Sequence, residues 1–322
     1  MSTIADCITR TKRLLNSNTR TEIDAIEVTL ANGTSSTIKL KYQTDGIRAG
    51  SYISVSSGNT APETMYVHSR NGEYIIVERA MDGSAAPTTL GSGSNESWQA
   101  DTLIEVEPRF TGHQIFEAVK DSLKTLPNNL YGVGTTSVTF SSTSTQAVDA
   151  SALNDHDHGT PGTGFYHLIS SLRTARDEED RLLNINVVVQ RQTDGTYKIV
   201  RQEGLEKTVT VNLIYAHPFK TGTLNLSTTL SSVGMSSSMQ DIPALGAAAS
   251  LILGEESLRL DLHSQGDSRS DASVAAGDRA RYSLILQAQY DRRVSEEARR
   301  LMSLYGIRSG ASVSSVFPTT LR

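Results

Sequence analysis

The sequence predicts an α+β protein. The expected order is an N-terminal helix, a small antiparallel β barrel or sandwich with one helix, a second β-sandwich-like domain, and a helical C-terminal region ending in an extended tail. Three observations carry that prediction. Short runs of β-branched and aromatic residues recur between residues 23 and 230, punctuated by Asn-Gly and Asp-Gly pairs. Capped segments with apolar residues three and four apart open the chain, recur near residue 115 and fill most of the last stretch. The 322 residues exceed what one core ordinarily organises, and only 37% are hydrophobic and 6% aromatic. Several modest cores follow, with boundaries at 1–22, 23–128, 129–230 and 231–322.

Residues 2–16 predict a helix with Ser2 as N-cap and Ile4, Cys7, Ile8, Leu14 and Leu15 roughly on one face. Strands are expected at Ala25–Leu30, Ser36–Tyr42, Tyr52–Val55, Glu63–His68, Glu73–Glu78 and Thr102–Val106. The turns between them, Asn32-Gly33, Asp45-Gly46, Asn71-Gly72 and Asp82-Gly83, predict type I′ hairpins, because both residue types tolerate positive φ. Thr111 then caps a helix running to about Thr125. The second β-rich stretch offers Ser137–Phe140, Leu183–Arg191, Thr196–Arg201, Lys207–Ala216 and Gly222–Ser227, with a hairpin at Asp194-Gly195. Asp241-Ile-Pro243 starts a helix that reaches about Gly254, and a longer one spans about Val274 to Tyr305. Residues 84–98 and 307–322 read as arms that take one shape only against a partner, since ordering backbone costs about 1–2 kcal/mol per residue.

The chemistry sought in the sequence is mostly missing. Gly91–Glu96 contains Gly-x-Gly without the third glycine or a following helix, and there is no GxxxxGK[ST], nucleophile elbow or HExxH. Cys7 is the single cysteine, which excludes an internal disulfide and a cysteine-rich zinc site. The net charge of -5 gives no general pull toward nucleic acid. No apolar window reaches the roughly 20 residues of a membrane span, and the N-terminus lacks the apolar run of a secretory signal. The best metal candidates are Asp155, His156, Asp157 and His158, which alternate on a glycine-rich loop that cannot preorganise ligands alone. Ser171–Asn184 mixes both charge signs and reads as a solvated helix face. Arg279, Arg281, Arg292, Arg293, Arg299, Arg300 and Arg308 make the C-terminal region locally basic, facing DNA or a partner, or else pairing with Asp278, Asp291, Glu296 and Glu297 of the same chain. No catalytic residue, metal site or cofactor is expected.

Glu63-Thr-Met65-Tyr66-Val67, Arg79-Ala80-Met81-Asp82-Gly83-Ser84 and Glu107-Pro108-Arg109-Phe110 follow one another in order. This segment, about residues 45–123, resembles one that recurs in neck, or head-to-tail connector, proteins of tailed bacteriophages. Departures are Ala80, where glycine is usual, and Thr88 and Thr89, where histidine is common. The resemblance implies a non-enzymatic virion protein, made in the cytoplasm of a bacterial host. It implies a homo-oligomeric ring joining portal-type and tail proteins and touching passing DNA only non-specifically. The interface candidates are Ser84, Pro87, Leu90 and Ser92 in the first arm, Arg292, Arg293, Arg299 and Arg300 on the long helix, and Phe317 and Leu321 in the tail. Alternatives are a tail or baseplate subunit and, from another class, a carbohydrate-binding or metal-dependent hydrolase module using the 155–158 loop.

Overall fold

The computed structural model describes residues 2–15, 22–31, 36–56, 61–86, 96–127, 129–140, 148–149, 167–173, 187–191, 197–201, 209–219, 224–264 and 278–305. The chain forms two compact units, residues 1–128 with 219–294 and residues 129–218 with 295–322. The segment from residue 231 onward is therefore divided between them.

In the first unit, helix α1 (Ile4–Leu14) is capped by Thr3, one residue later than Ser2. The reason lies in the sequence: Thr3-x-x-Asp6 completes a reciprocal capping box, whereas Ser2 is followed at the same spacing by Ala5. Ile4, Cys7, Ile8 and Thr11 are buried. The N-terminus is zipped to residues 226–230 by Ile4 N–H to Thr228 O and Leu230 N–H to Ser2 O, both 2.9 Å.

Strands β1 (Glu22–Ala25), β8 (Leu103–Val106), β4 (Tyr52–Val55), β5 (Glu63–Asn71), β6 (Tyr74–Met81) and β3 (Thr37–Lys39) pair in that order as one antiparallel sheet. The sheet curls until its edges meet at an Ile26–Leu40 bridge, with Glu27 N–H to Lys39 O at 2.8 Å and Lys41 N–H to Ala25 O at 2.9 Å. Contact between the edges blunts the aggregation hazard of a free strand edge. Alternate residues Ile53/Val55, Met65/Val67, Ile75/Val77 and Ile104/Val106 point into the core. A two-stranded ribbon of β2 (Leu30–Ala31) and β7 (Glu96–Trp98) adds Leu30 and the fully buried Trp98 to that core.

Several expectations are corrected here. Ala25–Leu30 is not one strand: Glu27 and Val28 are exposed, and the chain leaves the sheet before Leu30 enters the core. At Asn71-Gly72 the hairpin forms, but Asn71 pairs with Tyr74 and the turn is Gly72-Glu73, with Gly72 at φ 60°. Glycine at the first central position is the type II′ arrangement. Asp45-Gly46 makes a turn without a hairpin, since β3 and β4 are not neighbours. Asp82 and Gly83 have φ of 56° and 73°, and Ser84 N–H closes the turn on Met81 O at 3.0 Å. The next described strand, β7, nevertheless pairs with β2. Asn32-Gly33 lies outside the described residues.

Helix α2 (Gly112–Lys124) starts at Thr111, whose capping box uses Gln114, and its first N–H bonds Ser54 Oγ on the sheet at 3.0 Å. Helix α3 (Ile242–Ser264) runs past Gly254, the residue expected to end it. Its buried Ala244, Ala247, Ala248 and Ala249 let α1 and α2 pack against it. Helix α4 (Asp278–Tyr305) is tied to α3 by Ser283 Oγ donating to Ala249 O at 3.0 Å. Residues 225–227, expected as part of a strand, form a turn fastened by Thr228 N–H to Asn225 O at 3.1 Å.

The second unit holds two three-stranded antiparallel sheets. One has β11 (His167–Arg173), β14 (Val209–His217) and β9 (Gly132–Phe140) in that order. The other has β10 (Val148–Asp149), β13 (Tyr197–Arg201) and β12 (Val187–Arg191). Ser171–Arg173 end β11, so the segment read as a helix face begins as strand, and residues 174–184 lie outside the described residues. Residues 192–196 do too, but the strands flanking Asp194-Gly195 pair antiparallel from Arg191↔Tyr197 onward. On β14 the rings of Tyr215 and His217 lie over Gly134 and Gly132 of β9. A Cβ at Gly134 would sit 2.6 Å from Tyr215 Cζ.

Candidate interaction surfaces

The chemistry of the first unit turns inward. Glu63 at the start of β5 is fully buried, and its Oε1 accepts from Arg79 Nε at 2.7 Å and from Ala80 N–H at 3.0 Å. Its Oε2 accepts from Arg79 Nη2 and from Trp98 Nε1, both at 2.7 Å. Arg79 and Glu63 leave 7% and 0% of their side chains exposed, so this carboxylate is fully matched by donors and shut away from solvent. Asp24, likewise buried, accepts from three backbone N–H groups: Ala25, Tyr42 and Thr44. Arg70 donates to the carbonyls of Gln43, Thr44, Ile47 and Gly72. Together Asp24 and Arg70 hold the crossover loop between β3 and β4 from both its donors and its acceptors.

These bonds also fix both roots of the Gly/Ser arm. Ser84 is buried, and its Oγ accepts from Thr64 N–H at 3.0 Å and donates to Met81 O at 2.7 Å. Fourteen residues later Trp98 is anchored on Glu63, the neighbour of Thr64. The chain thus leaves and re-enters the sheet at adjacent residues of β5. Ser84 and Glu96–Trp98, expected in a partner-facing arm, are parts of the subunit's own frame, because sequence pattern does not reveal that a serine hydroxyl and an indole are consumed internally. Pro87, Leu90 and Ser92 lie outside the described residues.

The four candidate arginines separate by helical phase. Arg293 is turned inward: its Nε meets Asp241 Oδ2 at 2.9 Å and its Nη2 donates to Ser238 O at 2.8 Å. It fastens α4 to the start of α3. Arg300, one heptad on, donates to Glu297 at 2.6 Å within its own helix, an i,i+3 pair. Arg292 and Arg299 share the other phase, and both are exposed. Phe317 and Leu321 lie outside the described residues, as do Asp155, His156, Asp157 and His158.

Cys7 is buried, and loss of solvation pushes its thiol up from 9.0 to about 12. A nucleophilic or metal-binding cysteine needs the opposite shift. Beside it lies a hollow of about 720 Å³ lined in part by Asp6, Arg10, Arg13 and Asp241. Asp6 is engaged by Thr3 and Asp241 by Arg293. Among the described residues no group of three histidine, cysteine or acidic side chains could hold a metal ion. None of their helices is long and apolar enough to cross a membrane. No protein family, curated protein or solved structure matches this chain.

Proposed function

We propose that the chain is a structural subunit of a tailed-bacteriophage virion, a neck component that assembles with copies of itself into a ring between portal-type and tail proteins. The observation that carries this reading is Ala80. Its φ is 58°, a left-handed conformation that suits glycine and strains alanine. Glycine is the usual residue at this position of the connector segment resembled by residues 45–123. A backbone whose shape asks for glycine there supports the resemblance on grounds independent of residue identity. The inward-turned chemistry of Glu63, Asp24 and Cys7 supports a scaffold over an enzyme. The test is assembly: mass photometry and negative-stain imaging of the purified protein, alone and with a portal ring, are expected to reveal closed rings. A chain that stays monomeric with the portal ring present, or that instead binds glycans, overturns the proposal.

A further inference from the structure

The outer surface of the curled sheet, turned away from its core, carries a row of aromatic and acidic residues. Tyr52 on β4 pairs in register with Tyr66 on β5, and Tyr66 with Glu78 on β6. On the other side of Tyr52, Glu107, just past β8, donates its N–H to Tyr52 O at 2.9 Å. The ring centroids of Tyr52 and Tyr66 are 5.2 Å apart, and those of Tyr66 and His68 5.1 Å. His68 Nε2 lies 3.1 Å from Glu78 Oε2. Tyr52, His68, Glu78 and Glu107 are exposed, and among the described residues no lysine or arginine pairs with either carboxylate. Aromatic faces attract cations. A guanidinium both stacks on such rings and pairs with carboxylates, so two tyrosines flanked by two glutamates suit arginine.

We propose that this face of the sheet receives the Arg292–Arg299 face of helix α4 from a second copy of the chain. Both arginines are exposed, and Arg299 has no partner among the described residues. One heptad apart, they are separated by roughly 10 Å along the helix. Glu107 and Glu78 are three strand steps apart, roughly 14 Å, a difference that long arginine and glutamate side chains absorb. One heptad before Arg292, Ile285 is 54% exposed, and Ile76 on β6 is 48% exposed, so an apolar contact can accompany the charged one. The inference rests on the ring reading: a sheet face of one copy against a helix face of the next is a heterologous contact, the kind that repeats around a closed ring.

The test uses full-length variants under the conditions in which the parent chain forms rings, alone or with a portal ring. Glu78→Lys with Glu107→Lys reverses the sheet face, and Arg292→Glu with Arg299→Glu reverses the helix face. Each double variant is expected to lose rings in mass photometry, because like charges then meet. The chain carrying all four substitutions is expected to regain them, and the two double variants, mixed, to associate with each other. Circular dichroism checks that every variant keeps the fold. Rings from either double variant alone overturn the sheet-to-helix contact and leave the ring reading standing. Loss of rings without rescue by the fourfold variant overturns the pairing of these two faces. Rings that persist but no longer bind the portal ring assign the faces to that partner and also overturn the inference. Absence of any assembly by the parent chain overturns both readings.

Discussion

Glu63 is held by four donors in a site closed to water, so removing one partner strands a buried charge. Arg79→Met is expected to destabilise the protein by about 3–5 kcal/mol. Urea titration followed through Trp98, the chain's single tryptophan, measures the loss at the anchored indole itself. Ala80 gives the opposite sign. Ala80→Gly relieves a left-handed alanine and is expected to gain about 0.5–1 kcal/mol after the entropy of glycine in the unfolded chain is subtracted; no gain in the same titration would contradict the strain. Cys7 sets a pH dependence. With its folded value raised from 9.0 to about 12, the unfolded chain releases the thiol proton first. The stabilising preference is therefore intact below pH 9 and is lost as pH rises toward 12. Over that window Cys7→Ala should lose less stability than the parent chain. Burial of Tyr290 pushes its hydroxyl up too, so the comparison between the two chains, not the slope of one, is the measurement.

At the scale of elements, two helices begin with reciprocal capping boxes, Thr3 with Asp6 and Thr111 with Gln114. Thr111→Ala is expected to cost about 1 kcal/mol and to leave the sheet intact, because Gly112 N–H keeps its bond to Ser54. In the second unit the close approach of β14 to β9 depends on glycine. Gly134→Ala would push on the buried Tyr215 ring, an overpacking expected to cost about 1–3 kcal/mol. Thermal unfolding of the two variants measures both costs. The helices and the strand cores were the most legible parts of the sequence, since capping and alternation are local. Strand ends were legible only approximately. The β5–β6 hairpin was found from Asn71-Gly72, yet its turn type came from Gly72 lying first in the loop. Asp45-Gly46 offered the same dipeptide signal without a hairpin, because a turn motif fixes the direction of a few residues and not the partner of a strand.

For the whole molecule, the arm's roots at Ser84 and Trp98 are held by adjacent residues of β5, independently of what lies between them. Replacing residues 87–95 by a shorter Gly/Ser linker is expected to leave the unfolding midpoint unchanged and to abolish ring formation, read by calorimetry and mass photometry on one sample. Unchanged rings would remove the arm from the interface. The sequence by itself determined the α+β class, the helix starts and most core strands, because each depends on residues a few positions apart. It also singled out the arm and the arginine-rich helix as candidate surfaces. Only the tertiary structure decided which way those side chains turn: Ser84 and Arg293 hydrogen-bond inside the subunit, while Arg292 and Arg299 lie on its exposed face. The same is true of the curled sheet's order and of Glu63 joining Arg79 to Trp98. Burial and hydrogen bonding between residues 16 to 52 positions apart follow from how the elements pack, and one-dimensional periodicity contains no distance across that packing.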